Sequence, residues 1–119
     1  MEAMVCAATL IAYADQELEA EEITKITTML NASKALEAFG SEPSQYFDSQ
    51  CNAFDASYRM ARLSAMKEIT DVKSNKKDAE MVLVMGIEVA FADGEMEPEE
   101  DKELKAIASA LGLRLSDYI

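Results

Sequence analysis

The sequence predicts an all-α protein, a single compact domain of about seven helices. Half of the 119 residues are hydrophobic, and Ala, Leu, Met, Glu and Lys are abundant beside only four Gly and two Pro. This composition favours helices over sheets. Apolar residues also recur at helical spacing along most of the chain. A chain of this length is long enough to bury one core, so we predict one domain over residues 1–119.

Apolar stripes and helix-end signals place the individual helices. Gly40 and Gly112 stop two of them, while Pro43 and Pro98 lie where a first helical turn begins. The predicted spans are a helix ending near Ala14, one across Ile23 to Leu30, a short one at 33–39, one starting at 41–43, and others at about 56–72, 77–92 and 98–111. Residues 113–119 are predicted to form a short docking turn.

The core is predicted from the same stripes. The helix at 77–92 is apolar on more than one face, so we expect it to be the central buried helix. The fourth helix would direct Tyr46, Phe47, Cys51 and Phe54 inwards, and the fifth carries Met60, Leu63, Met66, Lys67 and Ile69. The eight Met residues suit irregular gaps between packed helices.

One acidic phrase occurs twice in the chain. Residues 12–22 and 90–100, which are 78 positions apart, share Ala, Ala, Asp and four Glu, with Tyr13 facing Phe91 in the alignment. Each phrase falls at the turn between two predicted helices. The domain is therefore expected to contain two related helix-loop-helix hairpins whose acidic corners lie side by side.

Two explanations of the acidic corners remain open. In one, the acids are structural: Asp15 or Asp93 ends a helix, Glu19 or Glu97 caps the next, and the rest favour the helix dipole. In the other, carboxylates with no Lys or Arg close by bind a hard divalent cation, calcium or magnesium. The candidate ligands are Asp15, Glu17, Glu19, Glu21, Glu22, Asp93, Glu95, Glu97, Glu99 and Glu100.

Several other kinds of site are excluded or disfavoured. An EF-hand is excluded, because counting twelve positions from each Asp reaches Ile26 and Leu104 where a bidentate Glu is needed. The chain contains no His and no Gly-rich phosphate loop, which removes histidine-based catalysis and imidazole metal ligation. We therefore predict no catalytic residues and no enzyme activity.

The charge distribution limits the partners. A net charge of −12 repels nucleic acid and anionic lipid unless basic residues are segregated. Six of the eleven basic residues do cluster, namely Arg59, Arg62, Lys67, Lys73, Lys76 and Lys77. They form either a solvated helix face and linker or a docking surface for an acidic partner or membrane.

Compartment signals point to a cytoplasmic protein. No apolar stretch approaches the roughly 20 residues that span a bilayer, and the first residues lack a secretory pattern. Cys6 and Cys51 are widely separated and lie among helix-forming residues. We expect both to be buried free thiols.

At its acidic phrases the chain resembles the bacterial tellurite-resistance TerB family, in which an Ala-x-Ala/Ser-Asp-Gly stretch and a Glu-Glu pair occur in each of two helical hairpins. The resemblance covers nearly the whole chain. Further similar segments are Val5-Cys6-Ala7, Tyr46-Phe47, Phe54-Asp55, Met66-Lys67, 84–90 and 107–113. It implies a roughly seven-helix fold, a role in tellurite resistance and related stress responses, and no enzyme mechanism.

The resemblance also implies partners and site residues. Family members are thought to be acidic, cation-responsive modules of a membrane-associated stress complex with the integral membrane protein TerC, so membrane contact would be indirect and peripheral at the inner membrane. Asp15 and Asp93 match the family Asp, and Gly94 matches its Gly. The Glu-Glu pairs match at 21–22 and 99–100, and Glu17, Glu19, Glu95 and Glu97 match more loosely.

Two departures from the family pattern matter. Gln16 stands where the family has Gly, and a left-handed backbone is less comfortable for Gln. The chain also begins almost at its first core helix, whereas full-length family members tend to carry a basic amphipathic leader. Membrane attachment through such a leader is therefore not predicted from this sequence.

Three functional hypotheses follow. The leading one is a non-enzymatic module whose paired acidic corners bind divalent cation and so alter docking to the membrane-associated complex. The second is a metal-independent domain whose acids face a basic protein partner. The third is direct thiol handling of tellurite through Cys6 or Cys51, which their spacing and expected burial disfavour.

Overall fold

The computed structural model describes residues 1–119 and contains only helices and turns, so the all-α prediction is confirmed. The six α-helices are α1 (Glu2–Ala12), α2 (Ala20–Ala32), α3 (Glu42–Ala56), α4 (Tyr58–Thr70), α5 (Lys76–Ala90) and α6 (Pro98–Leu111). Two 3₁₀ helices, Lys34–Phe39 and Leu115–Asp117, replace the predicted third helix and the predicted docking turn. No helix combines the length and apolar character needed to cross a membrane.

Helix α1 lies at the centre of the fold, and the prediction that the helix at 77–92 would be central is wrong. Every residue of α1 except Glu2 is buried, and α1 packs against all five other α-helices. Helix α5 keeps a solvent-facing side that includes Lys77 and Val84. Helix α1 takes the central position although it is shorter than α5, because the small side chains of Ala3, Ala7 and Ala8 let neighbouring helices approach it closely.

Gly86 allows a close approach of α5 to α1. A Cβ atom at this position would lie 3.1 Å from Cδ2 of Leu104 and 3.6 Å from Cγ1 of Ile11. Helix α5 can therefore pack tightly against both α1 and α6. This contact holds the two repeat hairpins, α1–α2 and α5–α6, together.

Helix α4 differs from the sequence prediction in which side chains it buries. Met60 and Leu63 are 66% and 68% exposed, whereas Ala61, Ala65 and Ile69 are buried. The inner face of α4 thus consists mainly of alanines spaced one turn apart, because α1 and α6 leave little room there. The expectation that all Met residues fill core gaps is wrong for Met60. The predictions for α3 hold: Phe47, Cys51 and Phe54 are buried.

Both repeat hairpins have the same helix boundaries. Helix α1 ends at Ala12 and α5 at Ala90, while α2 begins at Ala20 and α6 at Pro98. Each pair of positions is separated by the same 78 residues as the acidic phrases. The sequence repeat is therefore also a repeat of local structure.

Candidate functional site

The two acidic loops have closely similar backbones. Tyr13 and Phe91, the C-cap residues that follow α1 and α5, have φ/ψ of −95/12° and −95/5°. Three residues later, Gln16 has φ 63° and Gly94 has φ 90°. Gln16 is the only non-Gly residue of the chain with positive φ. The replacement of Gly by Gln has therefore not removed the left-handed turn, and Gln16 bears a conformational strain that Gly94 does not.

Two glutamates in each phrase begin the helix that follows. Glu19 precedes α2 and Glu97 precedes α6, and each forms a capping box with the Glu three residues later. The carboxylate of Glu22 accepts a hydrogen bond from the Glu19 N–H at 3.3 Å. That of Glu100 accepts one from the Glu97 N–H at 2.8 Å. The structural explanation of these acids is thus correct for the helix starts.

Six of the ten candidate ligands line one cavity between the loops, as expected for two corners that lie side by side. This acidic cavity has a volume of about 290 Å³ and is bounded at its base by Ile11 and Ala12. The acids lining it are Asp15, Glu22, Asp93, Glu97, Glu99 and Glu100. Two come from the first phrase and four from the second, so both repeats contribute oxygen ligands to the same space.

The other four candidates, Glu17, Glu19, Glu21 and Glu95, do not line the acidic cavity and are exposed. The Glu17 N–H donates to Oδ1 of Asp15 at 3.0 Å, so Glu17 supports the loop through its backbone rather than its carboxylate. The alternation of acids along the loops thus points some carboxylates away from the shared space.

Like charges within the cavity affect Glu100, the one half-buried acid among the ten. Partial burial raises the pKa of Glu100 above the usual carboxyl value. The negative charges of Glu97, Asp93 and Asp15 raise this pKa further, while the hydrogen bond from the Glu97 N–H lowers it. Carboxylates of both phrases therefore act on the same group.

A lysine from the first repeat reaches the second acidic loop. Nζ of Lys25, in α2, lies 2.6 Å from Oδ1 of Asp93. The prediction that no Lys or Arg lies close to these acids is therefore wrong for Asp93. The two residues are 68 positions apart, and helical spacing alone gives no signal for their contact, which arises from the packing of the hairpins.

The acids of the cavity are the right chemical type to bind a metal ion, but their present arrangement does not form a coordination site. Carboxylate oxygens are the ligands that calcium and magnesium prefer. No group of three or more Asp, Glu or Cys side chains is close enough, as arranged here, to hold a metal ion. The residues fit a hard cation by their chemistry, and exposed side chains would have to turn into the cavity to coordinate it.

Comparison with known proteins identifies the family. The sequence model described as "Tellurite resistance protein TerB" matches residues 1–119, the whole chain. The chain belongs to the TerB family. No curated protein and no solved structure matches it. Family membership makes this a tellurite-resistance-related domain and confirms the resemblance seen in the acidic phrases.

The two thiols of this TerB-family chain are buried and free, as expected. Burial raises the pKa of both Cys6 and Cys51 to about 11. Cys6 Sγ lies 3.6 Å from the Tyr46 hydroxyl, and the Tyr13 hydroxyl donates to the Cys51 carbonyl at 3.3 Å. Because the thiolate is the reactive form, these cysteines are poor nucleophiles at neutral pH.

Proposed function

We propose that this TerB-family chain is a non-enzymatic tellurite-resistance module whose two acidic loops bind a divalent cation, calcium or magnesium. Cation binding would modulate its docking to a membrane-associated Ter complex. The observation that carries the proposal is the acidic cavity, in which six carboxylates from both copies of the repeat line about 290 Å³.

The electrostatics of the cavity support a cation. Lys25 is the one Lys or Arg that forms an ion pair with these six acids, so most of their charge is not compensated within the chain. Repulsion between carboxylates is what raises the pKa of Glu100 beyond the effect of burial. A divalent cation among them would relieve this repulsion and supply the charge that the chain lacks.

The position of the cavity explains how binding could reach a partner. Asp15, Asp93 and Glu97 come from the two loops that connect α1 to α2 and α5 to α6, and the other three acids lie in the first turns of α2 and α6. A bound cation would therefore draw both loops together and reduce the negative charge of one surface. The family resemblance suggests that the partner is another Ter protein, with TerC as the membrane component, and that its binding to this surface depends on the change in charge.

The experiment is a calcium titration of metal-free protein at physiological salt, followed through backbone amide NMR shifts with magnesium as competitor. Saturable shifts confined to 15–22 and 93–100 are expected. The double variant Asp15→Asn with Asp93→Asn should abolish saturation. The matched control is Glu17→Gln with Glu95→Gln, which removes the same charge from repeat-equivalent positions outside the cavity and should preserve it. Weak, linear shifts across all acids would refute cation binding.

A metal-independent protein-interaction domain is the second candidate. The ion pair between Lys25 and Asp93 favours it, because this acid already accepts an ammonium group from the same chain. On this proposal the acidic loops would bind basic side chains of a partner. Asp15→Asn with Asp93→Asn would then only weaken a salt-sensitive protein contact, and the calcium titration would show no saturation.

A further inference from the structure

A second charged cavity lies at the other end of α5, and its charge is opposite. Lys73 in the connection between α4 and α5 lines it beside Lys76 at the start of α5, and Arg114 lines it from the segment after α6. Its volume is about 440 Å³, within the range of roughly 300–1,000 Å³ that small-molecule sites occupy. The two lysines belong to the basic cluster between residues 59 and 77, whereas Arg114 lies far from that cluster in the sequence.

The chain neutralises the positive charge of this basic cavity only in part. The three ion pairs of the structure use Lys25, Arg62 and Lys105, so Lys73, Lys76 and Arg114 pair with no carboxylate. Asp117 is the one acid in the lining. Three cations and one carboxylate leave a lining charge of +2, in a chain whose net charge is −12.

Backbone groups hold the wall at the start of α5. Asn75 caps the helix by accepting a hydrogen bond from the Asp78 N–H at 3.2 Å. The N–H groups of Lys76 and Lys77 donate to no acceptor within the protein. The positive end of the α5 dipole therefore lies beside the two lysines and adds to their attraction for an anion.

The opposite wall is formed where the chain turns after α6. Gly112 is left-handed at φ 71°, and the Leu113 N–H closes the helix end by donating to the Ala108 carbonyl at 2.9 Å. The Tyr118 hydroxyl donates to the carboxylate of Glu80 in α5. This contact ties the terminal segment that carries Arg114 to the helix that carries Lys76.

We propose that the basic cavity binds a phosphoryl group. A guanidinium fork and two ammonium groups match the oxygens and the double negative charge of a phosphate ester, and the lining charge of +2 balances that ester. The volume leaves room for the group that the phosphate carries. The site is independent of the acidic cavity, because α5, at 1.5 Å per residue, separates the two by about 21 Å.

The test is an amide NMR titration of the full chain with inorganic pyrophosphate, repeated at increasing salt. Saturable shifts are expected at Lys76, Gly112 and Arg114, with an affinity that falls as salt rises. Lys76→Gln and Arg114→Gln should each weaken binding about fivefold, the factor that corresponds to ~1 kcal/mol. Lys77→Gln is the matched control, because Lys77 is adjacent and exposed but does not line the cavity.

A second arm distinguishes a free phosphate compound from a lipid headgroup. Sedimentation with phosphatidylcholine vesicles, with and without phosphatidic acid, is measured for the same variants. Saturable pyrophosphate binding assigns the site to a free phosphate compound, and binding only to phosphatidic acid vesicles assigns it to a headgroup. The proposal is overturned if neither probe binds, or if Lys77→Gln weakens binding as much as Lys76→Gln.

Discussion

Lys25 and Asp93 join the two repeat hairpins: the Lys25 ammonium in α2 lies 2.6 Å from the carboxylate of Asp93, between α5 and α6. The side chains are 48% and 72% exposed, so the pair contributes at most about 1 kcal/mol to stability. The pair matters because of where it lies. The Lys25 ammonium group is bound to one of the carboxylates that line the acidic cavity.

Replacing Lys25 should therefore strengthen cation binding if the cavity is a cation site. Lys25→Gln removes a competing positive charge, and calcium affinity should rise by up to about fivefold, since unit charges at 4 Å in water interact by ~1 kcal/mol. Calorimetric calcium titration at fixed ionic strength measures this. Lys105→Gln is the control, because Lys105 pairs with Asp101 outside the cavity. Unchanged or lower affinity in Lys25→Gln would count against a cation at Asp93.

The left-handed turns predict opposite effects of two glycine exchanges. Gln16→Gly should raise the free energy of unfolding by about 0.5–1 kcal/mol, because relief of φ 63° exceeds the added entropy of the unfolded chain. Gly94→Ala should lower it by about 1 kcal/mol, although nothing lies within 4 Å of the added Cβ. Urea unfolding with unchanged m-values measures both. Gln16→Ala keeps the strain, so a gain equal to that of Gln16→Gly would disprove the explanation.

The raised pKa of Glu100 predicts a pH-dependent gain from Glu100→Gln. The folded state holds this proton more tightly than the unfolded chain, whose carboxyl pKa is about 4.3. The ionised side chain therefore costs stability, and this cost appears as pH rises from the unfolded pKa through the folded one. Glu100→Gln should be the more stable protein at neutral pH and equal to the parent below the unfolded pKa.

Denaturant unfolding of both proteins across this pH range is the measurement. Gln can still accept the hydrogen bond from the Glu97 N–H, so the helix cap is retained. Glu100→Ala removes the charge and the cap together, and its gain should be smaller by about 1 kcal/mol. A gain from Glu100→Gln that is the same at all pH values would contradict an electrostatic origin.

Arg62 and Glu103 form the one ion pair with a buried partner. Two hydrogen bonds of 3.1 and 2.6 Å join the guanidinium to Glu103, whose side chain is 8% exposed. Arg62→Ala would leave this carboxylate buried without a partner and should destabilise the fold by about 2–4 kcal/mol in thermal or urea unfolding. Asp101→Asn breaks the more accessible pair with Lys105 and should cost less than about 0.5 kcal/mol. Equal losses of stability in the two variants would mean that the burial of Glu103 does not determine the cost of breaking its ion pair.

Both cysteines should be inert in the folded state. Their pKa of about 11 and their burial keep the thiolate fraction small at neutral pH. A disulfide reagent should react with Cys6 and Cys51 only as fast as the protein opens, and fully in denaturant. Cys6→Ser with Cys51→Ser should leave tellurite resistance in cells unchanged. Fast labelling of native protein, or loss of resistance in a variant that folds normally, would support the hypothesis that the thiols handle tellurite directly.

Local sequence patterns predicted the helices well and their packing less well. Pro98, Gly112 and Gly40 correctly marked helix ends, because these signals act through the backbone of a few adjacent residues. The choice of central helix and the inner face of α4 were wrong. Met60 and Ala61 are both compatible with a helix, and which of them is buried depends on how closely α1 approaches.

For the candidate site, too, the sequence predicted local features, and the tertiary structure decided the contacts between distant residues. The duplicated phrase alone determined that two similar acidic loops exist and how each begins its helix, since capping and turn geometry depend on residues a few positions apart. The tertiary structure decided that six of the ten acids share one cavity and that Lys25 reaches Asp93. It also brought Arg114 to Lys76. These contacts join residues far apart in the chain, and only the packing of whole helices around α1 places them together.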